Sequence, residues 1–135
     1  MMKKLSVLFL IITVFLFCGF KRKVKPIIIL SSNYITLETA KRIENSFFAK
    51  SRIFYALYSP DGFKNQGIRL QISKQEDKVS NWGFSIIMTR DIYINSGEKI
   101  YKDNLHISQP GHYIIQFFYL NNKDYPFAHR EFKVY

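Results

Sequence analysis

Cysteine, proline and glycine are all scarce in this 135-residue chain, and each scarcity excludes a class of structure. The one cysteine, Cys18, has no partner for an intrachain disulfide, so packing must supply the stability. Four prolines and six glycines exclude a collagen-like or linker character. A hydrophobic content of 47% and an aromatic content of 17% exclude intrinsic disorder, because such a chain has ample apolar surface to bury. The length fits one domain.

Acidic residues are also few, since 20 lysines and arginines stand against 10 aspartates and glutamates, for a net charge of +10. Lys3 and Lys4 are the only charged residues before Cys18, so the remainder carries 18 basic and 10 acidic side chains. This bias favours anionic partners such as lipid phosphate, anionic glycan or nucleic acid. A genomic preference for lysine codons explains the same excess, so charge by itself does not identify a partner.

The segment Met1–Gly19 is laid out like an export signal. Lys3 and Lys4 form a basic start, and the apolar run Leu5–Phe17 is too short for an ordinary membrane span of about 20 residues. This layout, followed by Cys18, resembles a bacterial lipoprotein signal peptide. The resemblance implies that residues 1–17 are a signal peptide and that Cys18 becomes the acylated first residue. Several acyl chains, at about 0.8 kcal/mol per buried methylene, would give durable anchoring.

Two features depart from the lipoprotein pattern. A lipobox has a small residue before the cysteine, where this chain has Phe17; the relaxed lipoboxes of spirochaetal lipoproteins tolerate more variation. A basic cluster also follows the apolar run directly, against the positive-inside preference for an exported side. An uncleaved signal anchor with an exported domain, and a cytoplasmic domain on a reversed anchor, are therefore the alternatives.

Residues 18–33 are predicted to combine lipid attachment, a basic tether and a first strand at Pro26–Leu30. The basic residues of the tether are Lys21, Arg22, Lys23 and Lys25. We expect them to contact anionic headgroups, at about 1 kcal/mol for each basic residue near the surface. A solvated spacer would have the same composition.

Residues 34–135 are predicted to form an all-β domain, organised around a C-terminal hairpin. Pro110-Gly111 breaks the chain, an aromatic and branched run follows to Leu120, and the turn cluster Asn121–Asp124 leads to a strand ending at Val134. Alternating apolar and polar residues, as in this hairpin, are typical of antiparallel sheets with one buried face.

The strands predicted before this hairpin are Arg52–Tyr58, Gly67–Ser73, Trp82–Thr89 continuing or restarting as Arg90–Ile94, and Lys99–Ile107. Ser59-Pro60-Asp61-Gly62 has the residues of a type I turn. Leu37–Phe47 is expected to be irregular or to contain one short helical turn. Turn signals at such regular intervals favour an all-β sandwich or barrel.

The sequence Pro110-Gly111-His112-Tyr113 resembles the opening of late strands in immunoglobulin-like and fibronectin-type sandwiches. The resemblance implies an antiparallel immunoglobulin-like β-sandwich of about seven strands, preceded here by an N-terminal apolar signal helix. It also implies that the Tyr113 hydroxyl bonds back to the preceding corner. The Cys and Trp signature of true immunoglobulin domains is absent.

The whole chain is similar to small envelope lipoproteins of spirochaetes with a lone β-sandwich. This resemblance is based on Cys18, on the bias toward Lys, Asn and Ile, and on the aromatic strands. It implies a location in the bacterial cell envelope, membrane-anchored and periplasmic or surface-facing. It implies no catalytic residues.

The sequence contains no recognisable catalytic or cofactor motif: no P-loop, dinucleotide fingerprint, nucleophile elbow or zinc-protease helix. His106, His112 and His129 have no Cys or His partner at metal-ligand spacing. We therefore predict neither an enzyme nor a metal or other cofactor. The alternatives are a small enzymatic or inhibitory site that one sequence does not reveal, and a basic nucleic-acid-binding β-barrel, which an export signal makes unfavourable.

Two clusters of aromatic and basic side chains are candidate partner contacts: Trp82, Phe84 and Arg90, and Tyr125, Phe127 and Arg130. Because Trp, Tyr and Arg dominate interface hot spots, these clusters suit an envelope protein or an anionic glycan. The competing explanation is that Trp82 and Phe127 fill the core. The sequence thus predicts a non-enzymatic, membrane-tethered binding or assembly module of the cell envelope.

Overall fold

A computed structural model describes residues 23–64, 66–76 and 83–135, and 55% of the described residues lie in strands. Eight strands are present in this part of the chain: β1 (Ile27–Ser31), β2 (Ser46–Phe47), β3 (Arg52–Tyr58), β4 (Gln66–Gln75), β5 (Phe84–Ile94), β6 (Ile100–His106), β7 (Gly111–Tyr119) and β8 (Ala128–Val134). A 3-10 turn covers Thr39–Lys41. The mostly β composition that the alternation predicted is confirmed.

The predicted signal helix at residues 1–17 lies outside the described residues. Within the three described ranges, no helix has the length and apolarity that a membrane span requires.

The strands form two sheets. One has the order β1-β3-β6, and the other has the order β2-β8-β7-β4-β5. Neighbouring strands are antiparallel, except that β2 runs parallel to β8. The predicted C-terminal hairpin is the pair β7–β8, in which Gly111 is opposite Val134 and Phe117 is opposite Ala128. At the predicted turn, the Gly62 amide donates to the Ser59 carbonyl at 3.0 Å.

The two sheets share one apolar core, built from alternate residues of their facing strands. The three-stranded sheet contributes Ile53, Tyr55 and Leu57 from β3, and all three are fully buried. Across the interface, the Tyr55 ring lies 6.0 Å from the Phe117 ring of β7, measured between centroids. Burial of each large apolar side chain stabilises the fold by about 1.5–3 kcal/mol, before conformational entropy opposes it.

Three details differ from the sequence-based expectation. β1 is paired with β3, so the β domain includes Ile27–Ser31 and begins before the predicted boundary at residue 34. Phe84–Ile94 is one continuous strand, the first of the two predicted alternatives, but it has an unpredicted bulge at Ile87, because Ile72 pairs with Met88 while Ser73 pairs with Ile86. β2 was not predicted, because two residues are too few to show an alternation.

Two buried tyrosines differ in how their hydroxyls are satisfied. The Tyr113 hydroxyl donates to the Gln109 carbonyl at 2.7 Å, which is the corner contact that the resemblance implied. The Tyr55 hydroxyl is buried and has no hydrogen-bond partner among the described residues. An unpaired buried polar group costs about 1–3 kcal/mol, whereas a paired one is net stabilising.

Replacing each tyrosine by phenylalanine tests this difference. We expect Tyr113→Phe to lower the free energy of unfolding by about 1–2 kcal/mol, because the Gln109 carbonyl loses its donor. Tyr55→Phe should leave it unchanged or raise it by about 1 kcal/mol, because an unpaired hydroxyl is removed. Urea unfolding of both variants and the parent chain is the measurement, and equal losses in the two variants would contradict the assignment.

Candidate functional site

The side chain of Arg130, a predicted contact residue, makes its hydrogen bonds to acceptors in the same molecule. It lies on β8 opposite Ile115, so its side chain starts on the core side of the sheet. Its guanidinium donates to the Ile28 carbonyl at 2.8 Å, to the Glu44 carbonyl at 3.1 Å and to Asn45 Oδ1 at 2.8 Å. Desolvation lowers the pKa of Arg130 from its ordinary value. Arg130 therefore joins β8 to β1 on one side of the domain, in a partly buried position.

The rest of the second predicted cluster is not assembled into one surface. The Phe127 ring stacks on Tyr119 with centroids 4.1 Å apart and packs against the core. Tyr125, by contrast, is 79% exposed in the loop between β7 and β8. Phe127 is thus partly buried and packs against the edge of the core.

Arg90 of the first cluster also makes its contacts within the chain. Its Nη1 donates to Asp103 Oδ2 at 2.6 Å, which links β5 to β6 across the side of the domain away from β1. The Tyr101 hydroxyl donates to the same oxygen at 3.3 Å. Trp82, the third residue assigned to this region, lies outside the described residues.

The two tyrosines beside this ion pair are poor candidates for acid–base chemistry. Burial raises the pKa of Tyr55 far above its ordinary value, and the nearby Tyr101 and Asp103 add to the effect. Burial also raises the pKa of Tyr101, with a further contribution from Asp103. Both phenols therefore stay protonated near neutral pH, and the Arg90–Asp103 ion pair beside them links the two sheets.

The feature that stands out among the described residues is the edge strand β5. Among the described strands its one neighbour in the sheet is β4, so its other side offers backbone groups for pairing. Four of its apolar side chains are exposed: Phe84, Ile86, Ile87 and Tyr93. We call these four residues the β5 edge surface. Ile86 is 61% exposed and Tyr93 is 78% exposed, so neither contributes to the core.

Both charged side chains of β5 are occupied by partners in the same molecule. Arg90 pairs with Asp103, and Asp91 accepts two hydrogen bonds from Arg69, at 2.7 Å from Nε and 3.0 Å from Nη2. The bonds from Arg69 lower the pKa of Asp91. Natural proteins commonly protect edge strands with charges, prolines or short length. At 11 residues β5 is long, and its charges are neutralised locally.

The edge strand at the other end of the same sheet is much shorter than β5. There the edge is β2, which has two residues and pairs parallel with β8. A shallow groove of about 310 Å³ also begins near Phe84 and runs over His112, Ile114 and Glu131 on the outer face. Within the described ranges, no three His, Cys, Asp or Glu side chains are grouped to hold a metal ion. Of the described surfaces, the β5 edge surface is therefore the best candidate site for a macromolecular partner.

Sequence reasoning identified Phe84 and missed the other three residues of this surface. The available signal was the run Phe84–Met88, in which apolar residues do not alternate cleanly with polar ones. In an antiparallel sheet with one buried face, such a run must leave apolar side chains exposed.

The predicted lipid-contact residues are only partly described. Cys18, Lys21 and Arg22 lie outside the described residues. Lys23 and Lys25 are exposed, directly before β1. A second shallow groove, of about 450 Å³, lies beside this point and is lined in part by Pro26, Ile27 and Ile43.

Comparisons with known proteins support the fold and identify no family. No family model matches the chain, and no curated protein matches its sequence significantly. The soluble domain of PmoD from Methylocystis sp. is similar in structure, with a TM-score of 0.53 and 12% identity over 82% of this chain and 90% of that domain. Superoxide reductase (neelaredoxin) from Ignicoccus hospitalis aligns with a TM-score of 0.49 and 12% identity, covering 83% of this chain and 81% of that one. At these identities the likeness concerns the fold alone.

The contacts of Arg130 and Arg90 predict different losses of unfolding free energy when each arginine is replaced by methionine. Arg130→Met should lower the free energy of unfolding by about 2–3 kcal/mol, because the Ile28 and Glu44 carbonyls lose their donor in a partly buried site. Arg90→Met should lower it by about 1 kcal/mol or less, because that ion pair is substantially exposed. Parallel urea titrations measure both; an equal or larger loss for Arg90→Met would refute the ranking.

Proposed function

We propose that this chain is a non-enzymatic, membrane-tethered binding or assembly module of the bacterial cell envelope. Cys18 is the lipid attachment point, and the β5 edge surface receives the partner. The observation that carries the proposal is the state of β5: an 11-residue edge strand with exposed apolar side chains and both charges paired internally.

The proposed mode of binding is strand addition. An extended segment of an envelope protein pairs with the backbone of β5, and its alternate side chains contact Ile86 and Tyr93. The main-chain hydrogen bonds supply affinity, and the side-chain contacts supply specificity. The groove that begins at Phe84 extends the contact area onto the outer face of the sheet.

We also propose that the two sheets have the immunoglobulin-like arrangement. The strand orders β1-β3-β6 and β2-β8-β7-β4-β5 support this. Strands that follow one another in the chain, such as β3 and β4 or β5 and β6, lie in opposite sheets, as in such sandwiches. The bond from the Tyr113 hydroxyl to the Gln109 carbonyl supports it further.

The anchor is supported by the sequence before β1. An apolar run, a cysteine and a basic cluster follow one another, and the last two of those cations, Lys23 and Lys25, are exposed where the chain approaches the domain. A lipid anchor with a short tether would hold the domain near the membrane and raise its effective concentration toward membrane-associated partners.

Mass and partitioning test the anchor. We expect the natively expressed protein to begin at Cys18, to carry a lipid-sized mass increment and to fractionate with membranes. A Cys18→Ser variant should lose the increment and leave the membrane fraction if it is processed. A full-length, unacylated parent chain in the membrane would replace the lipid anchor by an uncleaved signal anchor.

Site-directed crosslinking tests the β5 edge surface. A photoreactive residue at Tyr93 should give one discrete protein adduct in native membranes. Ile86→Lys should abolish it, because a charge in a strand-pairing contact must be desolvated. Leu37→Lys is the matched control, since Leu37 is 88% exposed and lies outside β5. Equal adducts in both variants, or none in the parent, would overturn the assignment of this surface.

A further inference from the structure

We infer that the β1 side of the domain docks directly on an anionic lipid surface, which orients the domain and leaves β5 facing away from the membrane. This inference rests on the proposed membrane anchoring and extends it from the tether to the folded domain. The docking surface, which we call the β1-side patch, comprises Ile27 and Ile43, which line one groove beside β1, and Val24, three residues before Ile27 in the chain.

The side chains of the β1-side patch are exposed although they are aliphatic. Val24 is 55% exposed, Ile27 is 51% exposed and Ile43 is 83% exposed. Ile27 and Ile43 line the same shallow groove beside β1, so residues distant in sequence form one surface there. The groove is open and broad, which suits the plane of a membrane interface better than a small enclosed ligand.

Exposed cations adjoin the patch residues in the chain. Lys23 and Lys25 flank Val24, and Lys41 and Arg42 directly precede Ile43 in the chain; all four are exposed. The carboxylates on the same stretches are Glu38 and Glu44, and Glu44 Oε2 accepts the Ser32 amide at 2.6 Å. Cations therefore outnumber carboxylates beside an exposed aliphatic surface. Aliphatic and basic side chains together are the chemistry of surfaces that lie in the headgroup region of anionic membranes.

The length of the tether places the patch within reach of lipid. Val24 follows Cys18 by six residues, so the connecting chain spans at most about 20 Å. The nine residues of β7 extend about 30 Å, at 3.3–3.4 Å each. The tether is thus shorter than the domain, and the start of β1 is the part of the domain held nearest to an acylated Cys18.

The topology then fixes which surface points outward. β1 lies against β8, joined by the Arg130 contacts, while β5, at the other end of its sheet, is linked to β6 by the Arg90–Asp103 ion pair. Docking through the β1-side patch therefore directs the β5 edge surface away from the lipid, where a partner can approach it.

The test uses the natively expressed, membrane-anchored chain reconstituted into vesicles of phosphatidylcholine with or without phosphatidylglycerol. An environment-sensitive fluorescent amino acid replaces Ile43 in one sample and Ile86 in a matched sample. We expect the probe at position 43 to report an apolar environment in anionic vesicles, and the probe at position 86 to report water in both vesicle types. Arg42→Gln should lower the ratio of docked to undocked chain about fivefold, because each basic residue near an anionic surface contributes about that factor.

The outcomes separate the docking surface from the anchor. Chains that float with the vesicles while position 43 stays in water would overturn the docking and leave the anchor intact. A shift at position 86, with or without one at position 43, would overturn the proposed orientation. Chains that fail to float would overturn the membrane anchoring and this inference with it.

Discussion

Apolar packing of β3 against β4 and β7 is the interaction on which the rest of this domain depends. No disulfide is available to the domain, so the burial of residues such as Tyr55, Leu70 and Phe117 must offset the entropy of ordering the chain. The outer strands depend on it in turn, because β1, β5 and β6 are each positioned by pairing with a strand of that core. The core fixes where every edge of the two sheets lies, and therefore which surfaces remain for partners.

The contacts of two arginines show how the packing of the sheets determines which partners a polar side chain finds. Arg90 and Arg130 both lie on strands at the sides of the domain, and both reach across to the opposite sheet. A sequence pattern identifies them as basic residues near aromatic ones, which also describes an interface hot spot. Only the fold shows that each has an acceptor in the other sheet. Each guanidinium therefore makes its contacts within the molecule, Arg130 in a partly buried site and Arg90 in a substantially exposed ion pair.

Local pattern therefore predicted much of the fold, and non-local pairing accounts for the remainder. β3 has the predicted bounds, and the C-terminal hairpin and β6 lie within a residue or so of theirs, because alternation is a property of neighbouring residues. β2 was missed because it is defined by its contact with β8. The β5 edge surface was missed because alternation does not reveal which strand lies at the end of a sheet. The groove that joins Ile27 to Ile43 likewise depends on a segment returning beside β1.

The unequal ends of the five-stranded sheet limit the stoichiometry of any complex built on it. Growth of a filament by strand addition needs two complementary edges on every subunit, so that each new copy exposes a fresh acceptor. Here one edge has 11 residues and the other has two, which run parallel to their neighbour. A strand that pairs with β5 therefore finds no equivalent site at the far end of the sheet. Under the strand addition proposed above, this sheet accepts one partner strand, at β5.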